Sequence, residues 1–176
     1  MNPRLRIILF AVTAIAQLLV AGMGIARYEF ALQQGTAYRF ETAPVDPVDL
    51  FRGRYVQLSF AAERSTLPLP SDTTDGQAYA VLGTDDRGFA KIVDLRATPP
   101  SQGDYIRVTA YGDFGPNAEG SRLQFAFDRF YAEESKAPEL ERRYRDHAAN
   151  SDAKPAYAVV RVLDGVAVLE DLHIDD

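Results

Sequence analysis

The sequence predicts a mainly β protein on a membrane anchor: an N-terminal transmembrane helix, then an antiparallel β sandwich or barrel-like domain with one late helix. Two observations carry this. Ile7 to Ala26 make one long apolar run, with Arg4 and Arg6 before it and Arg27 and Glu29 after it. Beyond it, short stretches of period-two alternation, the pattern of half-buried strands, are separated by clusters of Gly, Pro, Asp and Asn.

As a helix, the apolar run is about 30 Å long, the thickness of a bilayer's hydrocarbon core. A cleaved secretory signal is the competing reading, given the N-terminal charge and the small residues Ala21, Gly22 and Gly24. It ranks second, because a signal's apolar core is typically about 7 to 15 residues. The expected division is a cytoplasmic tip and anchor over 1–27 and an extracytoplasmic domain over 28–176. Arg4 and Arg6 place the N-terminus in the cytoplasm and the remainder on the periplasmic or outer side of the inner (cell) membrane. The absence of cysteine fits an oxidising compartment. Within the anchor, Thr13, Gln17, Ala21 and Gly24 lie at i, i+4, i+8 and i+11, a small or polar stripe that would suit an integral membrane partner. A lone anchor also tolerates one Gln and a few small residues.

Residues 28–36 read as a short tether. Tyr38, Phe40 and Thr42 then alternate with Ala37, Arg39 and Glu41 as a strand until Pro44, Asp46, Pro47 and Asp49 break the pattern. Tyr55 to Phe60 resumes it, and Ser65 to Gly76 is a loop. Gln77 to Leu82 and Phe89 to Leu95 form a hairpin around Gly83 to Gly88. Tyr105 to Tyr111 and Arg122 to Phe130 form a second pair, with Leu123, Phe125 and Phe127 on one face. Pro138 suits the first turn of a helix over Ala137 to Ala149. Asp164-Gly165 between two β-rich runs predicts a terminal hairpin, because both central turn residues need positive φ. Gly53-Arg54-Tyr55-Val56 is echoed by Gly103-Asp104-Tyr105-Ile106, which a tight turn before a strand explains without a repeat architecture.

The part beyond Arg27 carries 16 basic and 25 acidic residues, since residues 1–27 hold three Arg and no acid. That formal charge of −9 argues against nucleic acid as a partner and gives no reason to expect a second membrane-binding patch. The remaining length suits one domain.

The stretch Asp46-Pro47-Val48-Asp49-Leu50-Phe51-Arg52-Gly53-Arg54-Tyr55-Val56-Gln57-Leu58-Ser59-Phe60 resembles the signature of the GDYXXLXY family of membrane-anchored proteins. Phe127 to Glu133, Glu139-Leu140-Glu141 and the hairpin at Asp164-Gly165 resemble it as well. The resemblance implies an anchor and an extracytoplasmic β-rich domain, and names no activity. Arg54 stands where the family motif has Asp, and Phe60 where it ends in Tyr. A guanidinium cannot act as the general base a carboxylate would be, so the position after Gly53 reads as an exposed polar site. Asp46, Asp49, Arg52, Gly53, Arg54, Tyr55, Leu58 and Phe60 are therefore the candidate motif or binding residues.

No catalytic set emerges. With no Cys, a nucleophile would need Ser or Thr beside His or Lys. His147 sits on the predicted late helix, His173 near the terminus, and Ser59 with Lys91 is a pairing by residue type alone. Asp46, Asp49, Glu63, Asp94 and Asp104 are the carboxylates available for metal or glycosidase chemistry, although Asp beside Pro is ordinary turn chemistry. No metal and no cofactor is called for. The reading is a single-pass interaction or accessory module in contact with the bilayer and an integral membrane partner. The alternative is an anchored hydrolase acting on a cell-envelope polymer.

Overall fold

The computed structural model describes residues 3–43, 55–70, 72–73, 76–111, 120–131 and 155–174. Among these residues one helix, α1 (Pro3–Gln34), precedes ten strands: β1 (Thr36–Glu41), β2 (Tyr55–Gln57), β3 (Arg64–Ser65), β4 (Gln77–Thr84), β5 (Ala90–Arg96), β6 (Tyr105–Tyr111), β7 (Ser121–Phe125), β8 (Arg129–Tyr131), β9 (Tyr157–Leu163) and β10 (Val166–His173). A 3-10 turn over Ala61–Glu63 separates β2 from β3. The predicted late helix over 137–149, with His147, lies outside the described residues.

The strands pair antiparallel in three groups, ordered β1-β9-β10, β2-β8 and β3-β7-β6-β4-β5. Isolated bridges stitch the groups together, Arg39 to Phe89, Thr42 to Phe60 and Ile106 to Gly165. The result is a barrel-like wrap around one core. Burial alternates along β4, where Ala78, Ala80 and Leu82 point inward, and along β6, where Ile106, Val108 and Ala110 do. Ala158, Val160 and Val162 of β9 face them from the other group.

At the centre sit four phenylalanines. Phe40 meets Phe60, Phe125 and Phe127 with ring centroids 5.8, 5.6 and 5.1 Å away, each near edge-to-face. Phe125 and Phe127 stack at 5.1 Å. Such pairs add attraction beyond the area they bury. The cluster ties β1, the segment after β2, β7 and the turn after β7 into one unit.

The structure corrects three expectations. Residues 28–34, read as a tether, continue α1, because Glu29 to Gln34 are sound helix formers and nothing breaks the helix before Gly35. The run Arg122 to Phe130 is two strands with a turn at Ala126 and Phe127 between them. Leu123, Phe125 and Phe127 are nonetheless all buried, so the alternation passes through the turn unchanged. The strand begun at Tyr55 ends at Gln57; the Leu58 amide still donates to the Asp128 carbonyl at 2.7 Å, and Phe60 then turns to an isolated bridge with Thr42. The terminal hairpin forms as expected, with φ of 48° at Asp164 and 78° at Gly165.

Candidate functional site

Helix α1 is long and apolar enough to cross a membrane, and its apolar side chains are exposed. In its last two turns Ala31 alone is fully buried against the domain, while Tyr28 and Phe30 stay exposed. The Gly35 amide donates to the Ala31 carbonyl at 2.9 Å, ending the helix where the chain passes close to β9. A Cβ at Gly35 would crowd the Ala31 carbonyl and lie 2.9 Å from the Val162 carbonyl oxygen, so only glycine permits this approach. Arg161 of β9 reinforces the junction. It donates to the Gly35 carbonyl at 3.3 Å and to both carboxylate oxygens of Glu170 at 2.7 and 3.2 Å. Glu170 occupies the irregularity in the β9–β10 register, the kind of bulge that re-aims a side chain.

The helix face that meets the domain continues the stripe predicted in the anchor. At 100° per residue, Thr13, Gln17, Ala21, Gly24, Tyr28 and Ala31 fall within one arc of about 80°. Thr13 satisfies its hydroxyl on the Leu9 carbonyl at 2.9 Å. A Cβ at Gly22 or Gly24 would meet nothing within 4 Å. The domain itself does not use the smallness of these two positions.

Below that stripe a cleft of about 770 Å³ opens between α1 and the β domain. Gly24, Arg27 and Tyr28 form its helical wall. Gln77, Arg107, Thr109 and Gln124, on the outward face of the five-stranded group, form its floor, with Asp128 and Arg129 at one end and Gly165, Val166 and Ala167 at the other. Arg107 lies over the Tyr79 ring, 6.0 Å from its centroid. Asp128 is the one carboxylate in the lining among the described residues, and its Oδ1 is 3.7 Å from Arg129 Nε. No sequence pattern marks this group, since its arginines sit at positions 27, 107 and 129 and the total charge hides them.

Of the motif residues, Leu58 and Phe60 are core, 2% and 1% exposed. Phe60 lies among phenylalanines, where a tyrosine hydroxyl would need a partner. Asp46, Asp49, Arg52, Gly53 and Arg54 lie outside the described residues, and Tyr55 opens β2 opposite Tyr131. Ser59 is not paired with Lys91, for its hydroxyl donates to Glu63 Oε2 at 2.9 Å. The Phe60 amide reaches the same oxygen at 3.3 Å. Burial raises the Glu63 pKa above 4.5, against these hydrogen bonds, and the Asp128 charge raises it further. Asp104 accepts from the Tyr38 hydroxyl at 3.0 Å, while Asp94 pairs with Arg96 at 2.8 Å. Burial and Asp104 together push the Tyr38 phenol up to about 12. Among the described residues, no three His, Cys, Asp or Glu side chains converge as a metal-ligand set. His173 stacks on Tyr157 at 4.9 Å, with Nε2 3.3 Å from Asp171.

A family model described as "GDYXXLXY protein" matches residues 17–172. No curated protein and no solved structure matches the chain.

Proposed function

The chain belongs to the GDYXXLXY family, and from that premise we infer that it is a single-pass membrane-anchored interaction module with an extracytoplasmic β domain. It works with an integral membrane partner and has no defined catalysis. One observation carries this reading: the stripe Thr13, Gln17, Ala21 and Gly24 is continuous with the helix face that docks the domain. A neighbouring helix seated on the stripe would run directly down to the cleft. It would thus engage anchor and domain together. Gln17 would find a hydrogen-bond partner there that hydrocarbon does not offer, and the open surface at Gly24 would admit close approach.

The positive-inside bias of Arg4 and Arg6 supports the orientation. The test is a Gln17→Leu, Ala21→Leu double variant, which makes the segment more apolar and so leaves insertion intact. Full-length protein is purified in mild detergent and its companions are identified. The variant is expected to insert as wild type does and to lose a specific membrane-protein companion. An unchanged set of companions would reduce α1 to a tether.

A further inference from the structure

We propose that the cleft between α1 and the five-stranded group binds the phosphate of an anionic phospholipid headgroup. The inference rests on the reading of α1 as a membrane anchor. Three arginines from three separate elements, Arg27 of α1, Arg107 of β6 and Arg129 of β8, line one cavity in which Asp128 is the single carboxylate among the described residues. Among the described lining residues positive charge is thus in excess, in a chain whose net charge is −6. Guanidinium groups match phosphate oxygens in a two-pronged geometry that a lysine cannot reproduce. Thr109, Gln77 and Gln124 supply neutral hydrogen-bonding groups beside them.

Position selects the source of the phosphate. Ile7 to Ala26 take up roughly the 30 Å of the hydrocarbon core, so Arg27 and Tyr28 emerge at headgroup level. A tyrosine is well suited to that depth, with an apolar ring and a polar tip. The far wall is apolar at Val166 and Ala167, where the glycerol end of a lipid would lie. A volume of about 770 Å³ is ample for one headgroup. Free phosphate shares the binding chemistry, but gains nothing from the anchor beside the cleft.

The test uses full-length protein in mild detergent, with lipid retention read by native mass spectrometry. Phosphatidylglycerol is compared with phosphatidylcholine, whose phosphate carries a cancelling charge, and inorganic phosphate is added as competitor. Wild type is expected to retain phosphatidylglycerol preferentially and to keep it against millimolar phosphate. Arg107→Gln and Arg129→Gln should each lower retention about fivefold, as removal of one arginine from an anionic surface does. Arg27→Gln, outside the β domain and therefore neutral for its folding, should do the same. Arg96→Gln, outside the cleft, should match wild type. Equal retention of the two lipids, or undiminished retention in the Arg27 and Arg107 variants, overturns the proposal. Displacement by phosphate overturns the lipid assignment in favour of a soluble anion. The same spectra give the intact mass, so loss of α1, which would defeat the anchor reading itself, is seen separately.

Discussion

The phenylalanine cluster and the junction of α1 with β9 both join segments distant in sequence, by opposite means. In the cluster, four rings are removed from water and each packs on the others, so attachment comes from side-chain bulk. At the junction, attachment comes from the absence of a side chain: Gly35 brings backbone against backbone, and Arg161 with Glu170 closes the outside. The domain's integrity and its hold on the helix are therefore separable properties.

That separation can be broken experimentally. The largest effect is expected at Phe40, whose ring touches the other three. Phe40→Ala should destabilise the domain by about 3 to 5 kcal/mol. That corresponds to a fall in melting temperature on the order of 10 °C, read by circular dichroism. A loss below about 1 kcal/mol would mean the cluster does not organise the core.

Gly35→Ala comes next. Its methyl group must push α1 away from β9, at a cost of roughly 1 to 3 kcal/mol. The telling readout is limited proteolysis around residue 35, which should become fast while the domain beyond it stays resistant. Wild-type resistance at that site would show that the junction is looser than its geometry indicates.

The smallest effect concerns Glu63, which borders the cluster through the Phe60 amide. Its folded pKa is raised, mainly by burial, so its ionisation opposes folding. Stability from this group is complete below the unfolded value near 4.5 and is lost as pH rises through the higher folded value. Relative to Glu63→Gln, wild type should gain stability as pH falls from neutral toward 4.5, then level off. A difference independent of pH would remove the burial argument.

Much of the fold was legible. Alternation placed Phe40, Leu58, Phe60, Leu123, Phe125 and Phe127 on inward faces, and Asp164-Gly165 marked its hairpin. What alternation could not reveal was the turn at Ala126 and Phe127, because the burial pattern runs through it unbroken. The helical extension to Gln34 was hidden for a different reason, since hydropathy ends at Ala26 while helix propensity does not. The cleft was illegible in principle. Arg27, Arg107 and Arg129 are brought together by strand order and helix docking, and a net charge summed over the chain averages their excess away.

The uninterrupted course of α1 into the domain has a mechanical consequence. Its 32 residues span about 48 Å, of which some 18 Å lie beyond a bilayer core. No proline interrupts this rod between Arg4 and Gln34, and its end is clamped at Gly35, so it acts as a lever. With α1 seated in a bilayer, as proposed above, any tilt or rotation of its apolar half would be delivered to the β domain as torque. The softest point of the lever is the Gly22-Met23-Gly24 segment, near the end of the apolar run.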